Sequence, residues 1–322
     1  MLARRCILCL LLKVCFCCCV GQKIPLRANI FYVSVGSSHY DSNPAFEFLP
    51  SAKNSAQRFS QYMKTFDAFG ITETSTSKRR ITKAIIINAI NVVVDSMKKS
   101  KHWPNILFVY LCGHGFADLS TQLQFFVTGN INYDVHFPEN AQRIRDDMFS
   151  FHDLTQIVIN GKIHEVCLIF DCCYEMRSTN PTYYSVEREM RRRDTTWPDS
   201  LKNTLGFFMV DPKDNRGRAS YHDQTNYFTI VYATSPGKSV ETVIDPLARK
   251  RKLRLGPVCR RILLLDAKYG ASGPLLYSTV LNGLSDPELD YESDIPVVKV
   301  KDRGWGEIEM VKKQNKFRQS KK

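Results

Sequence analysis

Four runs of apolar residues punctuate the chain, and each is stopped by glycine or polar residues after seven or eight positions. They are Asn29–Gly36 (NIFYVSVG), 106–113 (ILFVYLCG), 165–171 (EVCLIFD) and 227–234 (YFTIVYAT). Continuous rather than alternating apolarity marks a strand covered on both faces. Between the runs the periodicity becomes helical. Ala52, Ala56, Phe59, Tyr62, Met63 and Phe66 recur on one helix face, with Gly70 placed to end that helix. Ile85, Ile86, Ala89, Ile90, Val93 and Met97 form the stripe of a second helix, from Thr82 as N-cap to about Lys99, and a third helical stretch covers about 151–159. Buried strands alternating with helices predict an α/β fold, a three-layer α-β-α sandwich on a mostly parallel central sheet.

The flanking segments set the expected domain limits. In residues 1–21, Arg4 and Arg5 precede an apolar run from Cys6 to Val20 broken only by Lys13, with Gly21 at the cleavage position. That is the pattern of a signal peptide, and the run is shorter than the ~20 residues of a membrane-crossing helix. The alternative is an uncleaved membrane-targeting segment, or a tail acylated on Cys15, Cys17, Cys18 or Cys19. The expected location is therefore the secretory pathway or outside the cell, with membrane association only through this segment. Residues 22–28 read as a connector, 29–290 as the domain, about 176–226 as a basic, proline-bearing insertion, and 291–322 as an extension with a basic tail.

Composition adds little to this, because 43% hydrophobic and 24% charged residues are ordinary for a globular protein. Cysteine usage adds more. Six of the 11 cysteines lie in the leader, leaving Cys112, Cys167, Cys172, Cys173 and Cys259, an odd number set mostly in apolar stretches. This is no disulfide framework of the small secreted type. The formal net charge of +13 is concentrated at Arg188 to Arg193, at 249–254 and at 312–322. No aromatic interleaving, zinc spacing or recognition-helix pattern accompanies it, so solvated loops are expected and no nucleic-acid partner.

Two of the strand-like runs end in reactive side chains, one in Gly113-His114-Gly115 and the other in Asp171-Cys172-Cys173. Ligands of open α/β sheets bind beyond the carboxyl ends of strands, so a thiol and an imidazole meet there if the strands are neighbours. A thiol is only slightly ionised at neutral pH and needs a base, and histidine titrates in the range required to return the proton. The glycines beside His114 allow close backbone approach, so the N–H groups of Gly115 and Cys173 are the candidate oxyanion donors. Zinc binding through Cys112 and His114 lacks the paired Cys-x-x-Cys spacing of structural sites, and no metal ligands are assigned.

At these residues the chain resembles the caspase-like cysteine peptidases, its metacaspase and paracaspase branch most closely. The family's hydrophobic strand before His-Gly stands here as LFVYLCGHG, and the strand before Asp-x-Cys as CLIFDCC. Weaker similarities in the same order are LPSAKNSAQRFSQYM from Leu49, the helix from Thr82, the segment from Ala233 to Glu241, and 275–284, so the resemblance spans about 29–290. It implies a cysteine-type endopeptidase with Cys173, not Cys172, as nucleophile and His114 as its proton-transfer partner. It implies a polypeptide substrate, and Asp171 in a specificity pocket that prefers Arg or Lys before the scissile bond. The alternative for Asp171 is an acid that only orders the strand end or its loop. Tyr174, Glu175 and Met176 stand where the family usually has His-Ser-Gly. The other readings of the whole chain are a catalytically inactive caspase-like binding module and a related cysteine transamidase. The chemistry requires no cofactor. Asp146 and Asp147 are similar to an acidic pair of calcium-dependent metacaspases, so calcium is a candidate activator with no ligand set assigned; as a bland alternative, they are surface acids at a helix start.

Overall fold

The computed structural model describes residues 26–41, 46–100, 104–118, 124–135, 140–159, 163, 165–173, 175–177, 227–234, 240–246, 253–270, 275–284, 286, 288–290, 297–301 and 308–310. The leader, most of the basic insertion and the basic tail fall outside them. Six strands make the central sheet: β1 (Asn29–Gly36), β2 (Phe69–Thr74), β3 (Asn105–Gly113), β4 (Glu165–Cys172), β5 (Tyr227–Tyr232) and β6 (Val297–Lys301). Their order is β6-β5-β4-β3-β1-β2, with the first five in chain order parallel and β6 antiparallel to β5. The helices are α1 (Pro50–Lys64), α2 (Lys83–Lys99), α3 (Ala141–Asp147), α4 (Phe151–Ile159), α5 (Pro257–Tyr269) and α6 (Tyr277–Leu284).

Strand alternation sorts the core into two halves. Leu107, Val109, Leu111, Val166, Leu168 and Phe170 pack with Ile86, Ile90 and Val93 of α2 and Leu154 of α4. Ile106, Phe108, Tyr110, Cys112, Cys167 and Ile169 pack on the other face with Ala56 and Phe59 of α1, Val258 and Ile262 of α5, and Leu281 of α6. The protein is thus a three-layer α/β sandwich, and burial on both faces is why its inner strands read as continuous apolar runs.

β1 has its expected limits, and α2 starts where expected, with Thr82 Oγ1 accepting the Ile85 N–H at 3.3 Å. Gly70 does not end α1. It lies in β2, where a side chain would collide with Tyr32, and the chain turns instead at Asp67, at φ 63°. The boundary expected at residue 290 also needs correction. β6 completes the sheet, and Ile308–Met310 pairs with both Leu26–Arg27 and Leu275–Leu276, so the fold runs through Met310. Asp146 and Asp147 close α3 and do not open a helix, because Met148 returns to extended backbone before α4.

Beyond the carboxyl ends of β3 and β4, a second sheet joins 149–150, 124–126, 115–118 and 175–177 in that order. It covers a third apolar cluster that includes Tyr40, Phe46, Phe116 and Phe125. The strand order reverses between β1 and β3, so the crevice past their ends is where a doubly wound sheet takes its ligand. Among the described residues no helix is long and apolar enough to cross a membrane.

Candidate active site

β3 and β4 pair in parallel from Ile106↔Glu165 to Gly113↔Cys172, and the same offset resumes at Phe116↔Glu175. His114 and Cys173 are therefore partners in register, directly after the last pair of the main sheet. Neighbouring strands lie about 4.8 Å apart, so the two positions leave the sheet side by side. Both have the parity of Cys112 and Asp171, which face the α1 and α5 layer. Cys173 Sγ accepts the Val240 N–H at 3.3 Å, and the His114 ring meets the loop that leads into α1.

That loop shapes the surroundings of the imidazole. His114 Nε2 lies 3.0 Å from the Glu47 carbonyl oxygen. A carbonyl only accepts, so Nε2 carries the ring proton and Nδ1 is the basic nitrogen of the neutral imidazole. The rings of Tyr40 and Phe46 flank it at centroid distances of 5.0 and 5.5 Å. The Tyr40 hydroxyl accepts the His114 backbone N–H at 2.9 Å and donates to the Ser37 carbonyl at 2.8 Å. Burial pushes the Tyr40 phenol far above its ordinary value, so it stays a neutral bridge.

The adjacent cysteines differ in exposure. Cys172 is buried, and burial first, then the neighbouring ionisable groups Cys173, Cys112 and Asp171, pushes its thiol well above the usual range, whereas Cys173 is half-buried. The thiolate is the nucleophilic form, so of these two neighbours burial disfavours Cys172 in that role. No disulfide links the cysteines of the described residues. Gly115 lies against both: a Cβ there would stand 2.5 Å from Cys172 Sγ and 2.9 Å from the Cys173 carbonyl oxygen. This glycine is required by close approach to both cysteines.

Asp171 is 2% exposed and lies beneath this pair. Its carboxylate accepts the Tyr110 hydroxyl at 2.6 Å, the Val258 N–H at 3.2 Å and the Cys259 N–H at 3.0 Å. Gly256, the residue before α5, has no side chain to cap the helix and would collide with Asp171 if it had one. Asp171 thus caps a helix 88 residues further along the chain. Burial raises its pKa to about 6, against the lowering effect of these three hydrogen bonds.

The sequence reading singled out His114, Gly115, Asp171 and Cys173, and all four converge at the ends of β3 and β4. It missed Tyr40, the Glu47 carbonyl and the Val240 N–H, two of which are backbone groups that no residue pattern can announce. Asp146 and Asp147 lie away from this convergence at the end of α3, where Gln142 donates to Asp146 and Thr128 to the Asp147 carbonyl. Among the described residues no three His, Cys, Asp or Glu side chains gather as metal ligands would.

No protein-family model matches the chain, and no curated protein matches it. Among solved structures, a structural-genomics crystal structure of the protein GSU0716 from Geobacter sulfurreducens is similar, with a TM-score of 0.47 and 12% identity, covering 86% of this chain and 94% of that chain. A likeness at that level carries no inference about family or activity.

Proposed function

We propose that this protein is a cysteine-type endopeptidase of the caspase-like kind, acting on polypeptides at the carboxyl end of its sheet. The observation that supports it is the shared register of His114 and Cys173 after Gly113↔Cys172. Cys173 sulfur attacks the scissile carbonyl carbon while its proton passes to His114 Nδ1. The carbonyl electron pair moves to oxygen, where the N–H groups of Gly115 and Cys173 receive it. As the pair returns, the C–N bond breaks and His114 delivers the proton to the departing amine. Water then attacks the thioester carbon as His114 takes one of its protons, the C–S bond breaks, and that proton passes from His114 to sulfur. The Glu47 carbonyl holds the ring in the tautomer that this sequence requires.

The preference for Arg or Lys before the scissile bond rests on the sequence resemblance, because the Asp171 oxygens are engaged by Tyr110 and the start of α5. Calcium activation likewise rests on resemblance, and export or membrane association on the leader, which lies outside the described residues. A positional-scanning peptide assay on the purified protein, run with and without calcium and beside Cys173→Ala, tests these points together. Turnover that disappears in the variant is expected. Equal turnover in both proteins, or none in the parent, overturns the peptidase reading. A flat response to the residue before the cut overturns the basic preference alone.

A further inference from the structure

One half-buried ion pair lies outside the machinery described so far. Asp245 is 2% exposed, and its Oδ2 receives both Nε and Nη2 of Arg58 at 2.7 Å. Burial of the Asp245 charge offsets much of the attraction, so the pair is weak evidence of stabilisation, but its two contacts fix where residue 245 sits against α1. What it arranges is the segment that reaches Cys173. Asp245 follows the short strand Val243–Ile244, which pairs with Arg254–Leu255 just before α5. Arg260 of α5 holds the same segment from the other side, with Nη1 donating to the Ile244 carbonyl at 2.6 Å and Nε to Asp290 at 2.8 Å. Gly256 N–H donates to Ser55 Oγ at 2.8 Å, which ties the returning strand to α1 as well. Five residues before Asp245, the Val240 side chain packs on the core shared by α1 and α5, and its N–H faces Cys173 Sγ at 3.3 Å.

We propose that Asp245 is a positioning residue: its ion pair with Arg58 of α1 holds the 240–245 segment so that the Val240 N–H stays directed at the Cys173 sulfur. An N–H donor held at fixed distance favours the anionic form of a sulfur and requires no rearrangement when that form develops. Arg58 and Asp245 touch no reacting atom and act through the backbone between Asp245 and Val240. The idea rests on the peptidase reading for its consequence, and on geometry for the contact itself.

The test compares the full-length protein with Asp245→Asn and with Val240→Pro, which removes the N–H donor and keeps an apolar side chain of similar size at that position. Two quantities are read: the rate at which iodoacetamide alkylates Cys173, located by peptide mapping so that the leader cysteines do not interfere, and kcat and KM for a cleaved peptide. Both variants should alkylate about tenfold more slowly and lose about tenfold in kcat, with KM changed less than about twofold, as for an interaction made in the reaction and not in substrate binding. Unchanged or faster alkylation overturns the proposal, the faster result meaning that the segment covers the thiol. Should Asp245→Asn fail to fold, Val240→Pro decides alone. A parent protein that alkylates at Cys173 but cleaves no peptide sinks the peptidase reading while alkylation still judges the contact.

Discussion

His114 and Cys173 stand 59 residues apart, the same interval that separates Gly113 from Cys172 before them and Phe116 from Glu175 after them. The imidazole and the thiol are thus carried to one place by the sheet, not by the loops around it. Loops then refine the site: one from β1 orients the ring, and one leading to α5 meets the sulfur.

Replacing His114 with alanine removes the proposed base and acid but little buried structure, since the residue is half-buried. We predict that kcat/KM falls by about 10² to 10⁴ while the urea midpoint stays nearly unchanged. Steady-state kinetics on the best peptide substrate checks this, and activity within about threefold of the parent would remove His114 from the mechanism.

Gly115→Ala replaces neither member of the proposed dyad yet puts a methyl group 2.5 Å from Cys172 Sγ and 2.9 Å from the Cys173 carbonyl oxygen. Crowding of this kind costs about 1–3 kcal/mol and should displace the nucleophile, so stability and turnover fall together. Adding Cys172→Ala removes the closer of the two clashes. The double variant should regain part of both quantities, and a double variant no better than Gly115→Ala refutes the packing argument.

Asp171 gives the protein a specific dependence on pH. Its folded-state pKa of about 6 lies above the ordinary 3.8, with burial as the largest cause. Between these values the folded protein holds a proton that the unfolded chain has released, so stability falls as pH rises through the window. The contribution is complete below about pH 4 and lost above about pH 6, a change of about 3 kcal/mol. Asp171→Asn keeps an acceptor for the α5 N–H groups but cannot ionise. Urea unfolding of both proteins at several values from pH 4 to 7 should give a flatter profile for the variant, and parallel profiles contradict the assignment.

Tyr40→Phe keeps the ring against His114 but removes the hydroxyl that links its N–H to the Ser37 carbonyl. A buried carbonyl and a half-buried N–H lose their partner, at about 1–3 kcal/mol. The imidazole loses an anchor, so kcat should fall with KM nearly constant. Thermal unfolding and kinetics on the same preparation separate the effects, and an unaltered kcat leaves Tyr40 a packing residue only.

The legible parts of the fold were those whose signal lies within a few residues. β1 and α2 were read almost to the residue, because an unbroken apolar run and a capped stripe are local patterns. β2 was missed: FGITET is a partly exposed edge strand and lacks a run of core residues. α5 was missed because Arg260 and Arg261 interrupt its apolar face. Both are buried, and Arg261 donates to the carbonyls of Leu284, Asp286 and Asp290, partners that no helical periodicity reveals. The role of Asp171 had two readings in the sequence, and its capping of α5 depends on groups 87 and 88 positions away.

Read alone, the amino-acid order determined the layered α/β class, the limits of several inner strands and helices, and the presence of a thiol and an imidazole at two strand ends. Those follow from side-chain burial and backbone sterics acting over a few residues. That the two strands are adjacent, that they pair at an offset of 59, that Asp171 caps α5 and that the Val240 N–H meets Cys173 were decided by the folded chain. Such contacts form only when distant segments collapse on a common core, and the free energy that selects them belongs to the whole assembly of layers and to no single stretch of it.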